Sequence, residues 1–379
     1  MQYRKFGKLG WDVSALGFGM MRLPENKDTR EIDEDLATEM VHKAIDAGVN
    51  YVDTAWGYHN EKSEPFVGRV LKGGYREKVH LATKLPVWLV KSESDLDRLL
   101  DEQQRRLDVD HLDMYLFHAL GGKRWLDLQQ LKILNWAEKR KSEGRFLHLG
   151  FSLHDDYDAF HTILNSYDAW DFCQLQHNYM DIDYQQGQKG VDEAAAKGLG
   201  VVVMEPIRGG NLALDPMPDQ VAREFARSPR GWKPAEWALQ WVWNQPQVSV
   251  VLSGMSTMQH VTENLQSASR SGANSLDAHD LAVIEEVRKA FKSLSPIPCT
   301  HCEYCLPCPS DVAIPTIFAL YNDSRIFGAE KGSNWKYTSA IKPENRADMC
   351  IECGSCEAAC PQHIEIIDWL KKCDVYFAR

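Results

Sequence analysis

Short apolar segments alternate with amphipathic stretches along most of the chain. Eight apolar segments have the length and residue types of buried strands, and they occupy residues 15–21, 50–54, 79–84, 112–118, 146–151, 171–176, 200–205 and 248–253. The stretches between them have the periodicity of amphipathic helices, most clearly at 35–47, 93–107, 127–143, 187–196 and 234–244. Gly48, Gly144 and Gly198 follow three of these helices, where a glycine commonly ends a helix.

Repeated strand–helix units predict an α/β fold, specifically a (β/α)₈ TIM barrel over residues 1–285. The alternative is an open, doubly wound sheet. That fold usually binds dinucleotides through a G-x-G-x-x-G motif after a strand, and this sequence has no such motif. Residues 2–13, which include Gly7 and Gly10, are predicted to form a hairpin that closes the barrel floor.

Polar residues stand at the ends of three successive strands. Asp53 ends the second strand, Lys84 the third and His118 the fourth, while Tyr58 follows in the loop after Asp53. Each residue alone has an ordinary explanation, such as a structural histidine or an ion pair across the barrel mouth. Because the carboxyl ends of barrel strands form the active-site face, the four together favour a catalytic site.

This set of side chains suits the transfer of a proton to an oxygen that gains negative charge. A tyrosine is a weak acid, with a pKa of about 10. An adjacent lysine ammonium is expected to lower that pKa, and an aspartate paired with the lysine would hold it in place. A histidine beside the phenol could orient a carbonyl group or relay a proton.

The same residues resemble the catalytic motifs of the aldo-keto reductase superfamily. Asp53-Thr54-Ala55-x-x-Tyr58, Thr83-Lys84 and Phe117-His118 match its Asp/Tyr/Lys/His tetrad in order and spacing. Further similar segments lie at 150–152, 174–178, 205–210, 253–256 and 263–264. The resemblance implies that Tyr58 is the general acid, that Lys84 and Asp53 tune it, and that His118 orients the substrate carbonyl.

The resemblance also implies a nicotinamide dinucleotide, NADP(H) or NAD(H), bound in an extended form across the barrel rim. Ser152 and Gln176, together with Asn178, would hold its carboxamide, and the 206–212 loop would cover its pyrophosphate. The implied cofactor contacts are Gly19, Met20, Asp53, Ser152, Gln176, Met204, Pro206, Ile207, Gly209, Gly210, Leu212, Ser253, Gly254, Met255, Ser256, His260 and Asn264. The last six would surround the adenosine end, near a helix N-terminus that favours phosphate.

The sequence departs from the family pattern in two ways. Met204 stands where many members stack a tyrosine on the nicotinamide. Residues 253–264 contain no Lys or Arg to pair with the 2′-phosphate of NADPH, so His260, Arg208 or Arg270 would have to substitute. NADPH is favoured over NADH, and both stay open.

Loops after the strands would form the substrate walls. Trp56, Trp88 and Trp125 are candidates for lining the pocket, or alternatively for packing loops against the barrel. The resemblance implies a small carbonyl compound, or the corresponding alcohol, as the substrate.

Composition and net charge bear on the class of protein and on its partners. The chain of 379 residues is 44% hydrophobic and 26% charged, which is typical of a globular protein. A net charge of -11 argues against nucleic acid and anionic membranes as partners. With no signal peptide and no apolar run of membrane-spanning length, a cytoplasmic location is expected.

Eight of the ten cysteines form two compact runs near the C-terminus. The runs are Cys299, Cys302, Cys305 and Cys308, followed by Pro309, and Cys350, Cys353, Cys356 and Cys360, followed by Pro361. The second has the spacing of a bacterial ferredoxin run, and the first is one residue shorter. Iron–sulfur clusters are therefore favoured over zinc, which usually takes two separated pairs, and over disulfides.

Residues 286–379 thus resemble a two-cluster ferredoxin domain, which implies two [4Fe-4S] clusters. In such domains the runs exchange their fourth ligands, so Cys360 would complete the first cluster and Cys308 the second. Residues 314–321 are predicted to be helical, and residues 328–343 are an insertion to which the sequence assigns no role. Cys173 is expected to be a small buried hydrophobe.

The leading hypothesis is a nicotinamide-dependent oxidoreductase that interconverts a carbonyl and its alcohol. Its fused cluster domain would either connect it to a redox partner protein or have a structural role. The alternative is a nucleotide-binding electron-transfer or docking protein without carbonyl turnover, which would have no need of a proton donor.

Overall fold

A computed structural model describes residues 1–299 and 303–378, and it confirms the barrel. The eight barrel strands are β3 Leu16–Gly19, β4 Tyr51–Asp53, β5 His80–Leu85, β6 Leu112–Leu120, β7 Phe146–Leu153, β8 Phe172–Gln176, β9 Gly200–Met204 and β10 Val250–Ser253. They close in the order β10-β3-β4-β5-β6-β7-β8-β9, and every neighbouring pair is parallel. All eight predicted strands are present, with ends that shift by a few residues.

Helices surround the barrel and bury their apolar faces against it. These helices are α1 Glu34–Asp46, α2 Ser63–Val70, α3 Glu93–Leu107, α4 Gly122–Gln130, α5 Ile133–Ser142, α6 Tyr157–Asn165, α7 Gly187–Ala196, α9 Pro234–Trp243 and α10 Met258–Ser269. Helix α8, Asp219–Phe225, and most of helix α11, Ala278–Ser293, belong to the second compact unit described below. The prediction of a single helix over residues 127–143 is wrong. Lys132 adopts a left-handed conformation (φ 51°), which ends α4 and starts α5 in a new direction. Gly48, Gly144 and Gly198 all have positive φ beyond helix ends, as expected of C-capping glycines.

The N-terminal hairpin closes the barrel floor, as predicted. Strand β1, Tyr3–Lys5, pairs antiparallel with β2, Asp12–Ser14. Between them Phe6 is fully buried and stacks on Trp11, with ring centroids 4.5 Å apart. Gly200 is required here, because a Cβ at that position would lie 2.4 Å from the Phe6 ring. The opposite, carboxyl-terminal face of the barrel is therefore the face that is left for a site.

The chain divides into two compact units, 1–213 with 232–278, and 214–231 with 279–379. The domain boundary predicted at residue 285 stays a prediction. The second unit contains most of α11, and then α12 Ile314–Phe327, α13 Glu330–Ala340, α14 Ser355–Ala359 and α15 Ile366–Phe377. Helix α12 is longer than the helix predicted at 314–321, and α13 lies in the insertion at 328–343. None of the described helices is long and apolar enough to cross a membrane.

The second unit has its own apolar core. Its helices bury residues such as Ile317, Phe318 and Leu370. The buried Asn322 side chain accepts a hydrogen bond from the Ile297 N–H (3.0 Å) and donates one to the Ile297 carbonyl (2.8 Å). These paired bonds satisfy the backbone of the segment that leads into the first cysteine run.

Candidate active site

Asp53, Lys84 and Tyr58 meet at the carboxyl-terminal face of the barrel. Asp53 ends β4 and Lys84 lies near the end of β5, so the parallel register places them on adjacent strands. The Lys84 Nζ donates to Asp53 Oδ1 at 2.7 Å, to the Thr54 carbonyl at 2.7 Å and to the Tyr58 hydroxyl at 3.3 Å. Lys84 is fully buried, and these three hydrogen bonds hold its ammonium next to the Tyr58 hydroxyl.

Burial decides the net pKa of the phenol. It raises the pKa of Tyr58 above its usual value, while the adjacent Lys84 acts in the opposite direction without overcoming it. The expectation of a net lowering was therefore wrong in direction. Burial also lowers the pKa of Lys84, but Asp53 and Tyr58 together raise it more, so the lysine stays charged. The arrangement combines a protonated phenol with a fixed ammonium that can stabilise the phenolate once the proton has left.

His118 lies beside the phenol on β6. Its ring centroid is 6.3 Å from that of Tyr58, with the two planes nearly perpendicular. Burial, and then the charge of Lys84, hold the pKa of His118 well below its usual range, so its imidazole is neutral. The buried Nδ1 has no hydrogen-bond partner among the described residues. A neutral imidazole in this position is suited to hydrogen-bond a carbonyl oxygen.

The loop after Tyr58 has an unusual backbone. His59, Asn60 and Glu61 all have left-handed φ values of 50°, 53° and 67°, a conformation that costs non-glycine residues about 1–3 kcal/mol each. Side-chain contacts offset this cost. The His59 Nε2 accepts a hydrogen bond from the Leu23 N–H at 3.2 Å, and Glu61 pairs with Arg106 at 2.6 Å. The loop that carries the phenol is thus held from both sides.

A buried polar network of Gln103, Glu64 and Thr83 contacts the backbone of Lys84. Gln103 on α3 donates to the Lys84 carbonyl at 3.0 Å and to Glu64 Oε1 at 2.7 Å. Glu64 also accepts from the Thr83 hydroxyl at 2.7 Å. No sequence pattern indicates this network, because its members lie on three separate elements.

The residues predicted to hold the carboxamide lie on neighbouring strands. The Ser152 hydroxyl on β7 accepts from the Ala119 N–H at 2.8 Å, and its own proton stays available for donation. Gln176 and Asn178 both donate to Asp181 Oδ2 at 3.1 Å, and Arg208 pairs with the same carboxylate at 3.0 Å. Asp181, which no sequence motif marks, connects the end of β8 to the loop predicted to cover the pyrophosphate.

The other predicted cofactor residues lie at three strand ends. Gly19 ends β3 and Met20 follows it, while Met204 ends β9 and is followed by the loop with Pro206, Ile207, Gly209 and Gly210. Ser253 ends β10 and is followed by Gly254, Ser256, His260 and Asn264, where Asn264 donates to the Ser253 hydroxyl at 2.9 Å. The side chains of Met20, Leu212 and Met255 are fully buried, so only their main-chain atoms could contact a ligand.

The three candidate tryptophans have different surroundings. Trp88 is exposed and lies 5.0 Å from the His118 ring, which is consistent with a pocket wall. Trp56 is buried, with the guanidinium of Arg106 3.7 Å from its ring centre. Trp125 is completely buried, so it packs between elements and does not line a pocket.

These pKa directions predict how activity depends on pH. Reduction of a carbonyl by these side chains would need a protonated Tyr58 and a neutral His118, and the pKa directions favour both forms through the neutral range. We expect kcat for reduction to stay flat from about pH 6 to pH 9, whereas alcohol oxidation, which needs the phenolate, should rise with pH throughout. Steady-state rates in both directions would test this. A reductive rate that falls with an apparent pKa below about 8 would contradict it.

The cysteine runs lie in the second unit. Six cysteines of the runs belong to its apolar cluster or pack against it, namely Cys299, Cys305, Cys308, Cys350, Cys356 and Cys360. Cys353 is exposed, and Cys302 lies outside the described residues. Among the described residues no three His, Cys, Asp or Glu side chains are placed to bind a single metal ion. A cubane cluster spreads four thiolates over four irons, so it requires a wider arrangement of donors.

The two runs share a local geometry that spacing alone did not reveal. Glu303 and Gly354, each directly after the second cysteine of a run, both have positive φ. After the fourth cysteines, the Asp311 N–H donates to the Cys308 carbonyl and the His363 N–H to the Cys360 carbonyl. Helices α12 and α15 then begin at equivalent positions. This repeated run-and-helix unit fits two clusters of one kind.

A closed parallel barrel with these polar residues at its strand ends defines a TIM-barrel oxidoreductase. Residues 15–289 match the model of the aldo/keto reductase family, and residues 298–365 match that of a 4Fe-4S dicluster domain. The chain belongs to the aldo/keto reductase family and carries a 4Fe-4S dicluster domain.

Known relatives agree with this assignment. The chain is 25% identical to L-galactose dehydrogenase of Arabidopsis thaliana, covering 78% of this chain and 97% of that protein. It is 29% identical to 6-dehydroglucose reductase of Novosphingobium aromaticivorans, covering 56% and 70%. The holo form of an aldo-keto reductase from Bacillus halodurans superposes with a TM-score of 0.62 at 25% identity, covering 76% of this chain and 97% of that one. A Klebsiella pneumoniae aldo-keto reductase in complex with NADPH has the same fold, with a TM-score of 0.61 at 22% identity, covering 76% and 95%.

Proposed function

We propose that this protein interconverts a small carbonyl compound and its alcohol with a nicotinamide dinucleotide as hydride carrier. The observation that carries the proposal is the Lys84 ammonium, which is fully buried and bonded to both Asp53 and the Tyr58 hydroxyl. A barrel that only bound nucleotide would have no need of a proton donor held in this way. The catalytic roles assigned to Asp53, Tyr58, Lys84 and His118 are part of the proposal.

In the proposed reaction a dinucleotide bound at the barrel rim would supply a hydride to the carbonyl carbon. The Tyr58 hydroxyl gives its proton to the carbonyl oxygen, and Lys84 stabilises the phenolate that this leaves. Asp53 fixes Lys84, and neutral His118 donates a hydrogen bond that orients the carbonyl. Ser152, Gln176 and Asn178 would hold the carboxamide, displacing the contacts of the two amides with Asp181. Alcohol oxidation is the same path in reverse.

A panel of carbonyl compounds tests this function. Two relatives are named for sugars, so aldoses, lactones and keto-sugars should be assayed with simple aldehydes and ketones, each with NADPH and with NADH. Consumption of reduced dinucleotide that depends on substrate is the expected result. Tight dinucleotide binding without turnover of any compound would favour the alternative of a nucleotide-binding electron-transfer protein.

We further propose that the C-terminal unit holds two [4Fe-4S] clusters. One would be bound by Cys299, Cys302, Cys305 and Cys360, and the other by Cys350, Cys353, Cys356 and Cys308. Hydride transfer moves two electrons and a cluster accepts one, so the clusters would act apart from the hydride step, toward a redox partner protein or as a structural element. We also propose a cytoplasmic location for the protein, because thiols stay reduced in that compartment.

Anaerobically purified protein is expected to be brown and to contain about eight iron and about eight sulfide per chain. Metal and acid-labile sulfide analysis would measure this. Cys353→Ser should lower the iron content, whereas Cys173→Ser should leave it unchanged, because Cys173 is buried in the barrel. Stoichiometric zinc without sulfide would contradict the cluster assignment.

A further inference from the structure

Residues 253–264, which are predicted to surround the adenosine end of the cofactor, contain no Lys or Arg. Of the three residues expected to substitute, Arg208 pairs with Asp181 at 3.0 Å and Arg270 with Glu236 at 2.5 Å. The His260 Nδ1 accepts a hydrogen bond from the Ser256 N–H at 3.4 Å. Both arginines are thus already neutralised by carboxylates, and the charge of a dinucleotide phosphate needs another partner.

Arg22 lies at this position, although it comes from the other end of the sequence. It follows β3, and its side chain passes over Gly254, where a Cβ would meet Arg22 Cγ at 2.7 Å. The Ser256 hydroxyl donates to the Arg22 carbonyl at 2.8 Å. The absence of a side chain at Gly254 therefore provides the space that Arg22 occupies.

The surroundings of Arg22 leave its charge uncompensated. It lines an open cavity of about 730 Å³ together with Ser256 and His59. The acidic groups of that cavity have other partners, since Glu25 pairs with Arg30 at 3.5 Å and contacts His59, and Asp33 caps α1. Arg22 itself forms no ion pair with any residue in 1–299 or 303–378. Lys27 and Arg30 also line the cavity, but among the described cations of its wall Arg22 is the one that contacts both Gly254 and Ser256.

We propose that Arg22 is a phosphate-binding residue for the dinucleotide. Its guanidinium offers paired N–H donors to a phosphate, and Ser256 holds its backbone against the strand end. The inference rests on the proposed function, because it assumes that a dinucleotide binds at the rim. The phosphate is either the 2′-phosphate of NADPH or the pyrophosphate shared with NADH.

Binding of NADPH and NADH to the full-length, cluster-loaded protein tests the proposal. Arg22→Gln should raise the Kd by about tenfold, and Arg22→Lys by less, because lysine keeps the charge but loses the paired donors. The effect should shrink as salt is added. Lys5→Gln is the control, since it removes one charge from the floor of the barrel, and it should change neither Kd by more than about twofold.

The two cofactors separate the outcomes. A weaker Kd for NADPH alone assigns Arg22 to the 2′-phosphate, and equal weakening for both assigns it to the pyrophosphate. Unchanged Kd values in Arg22→Gln, with an unchanged melting temperature, would overturn the inference while the proposed function stands. If the unsubstituted protein binds neither dinucleotide, the proposed function itself fails.

Discussion

Tyr58→Phe is expected to abolish carbonyl turnover while dinucleotide binding is retained. The substitution removes the only hydroxyl bonded to the Lys84 ammonium among the described residues, and it leaves the ring in place. Because general acid catalysis typically contributes about 10²–10⁴-fold, kcat should fall by at least about a hundredfold. The measurement combines steady-state kinetics with a dinucleotide titration by fluorescence.

Tyr51→Phe is the matched control for this substitution. Tyr51 lies on the same strand as Asp53 but is buried toward the barrel floor, and its hydroxyl has no hydrogen-bond partner among the described residues. Its removal should leave kcat unchanged. Retained turnover in Tyr58→Phe would exclude the proposed proton donor, and loss of dinucleotide binding would point to a structural role instead.

Lys84→Met is expected to remove activity and stability together. The substitution leaves the Asp53 carboxylate buried without its counter-charge, and breaking a buried pair in this way typically costs about 3–5 kcal/mol. Burial already raises the pKa of Asp53, against the opposing effect of Lys84, and the variant should raise it further. The folded variant then binds more protons than the unfolded chain, so its stability should fall as the pH rises above about 4.

The double variant Asp53→Asn, Lys84→Met separates stability from chemistry. It removes both charges at similar volume, so the melting temperature should recover toward that of the unsubstituted protein. Turnover should stay lost, because no ammonium stabilises the phenolate. Thermal unfolding at pH 5 and pH 8, together with turnover, would measure both effects. A double variant as unstable as Lys84→Met would show that the unpaired carboxylate is not the cause.

Much of the barrel site was predictable because parallel strands end at a common face. Once the segments ending at Asp53, Lys84 and His118 were recognised as successive strands, the fold itself brought their last residues together. The cysteine runs were recognisable for a related reason, since closely spaced ligands depend little on the rest of the fold.

Contacts between distant segments were not predictable in this way. Arg22 meets Gly254 and Ser256 only because β3 and β10 are neighbours where the barrel closes. Asp181 is an unremarkable loop residue in the sequence, yet it accepts hydrogen bonds from Gln176 and Asn178. The wrong pKa direction for Tyr58 has the same origin, since burial comes from the packed structure and the sequence shows only the neighbouring charge.

The sequence by itself determined the order of the strands, the residues at their ends and the donor atoms of the cysteine runs, because these depend on local periodicity and spacing. The tertiary structure alone decided which charges are buried, which are already paired, and which stay free to bind a ligand. Those properties arise from desolvation and from contacts across the closed barrel, where residues more than two hundred positions apart become neighbours.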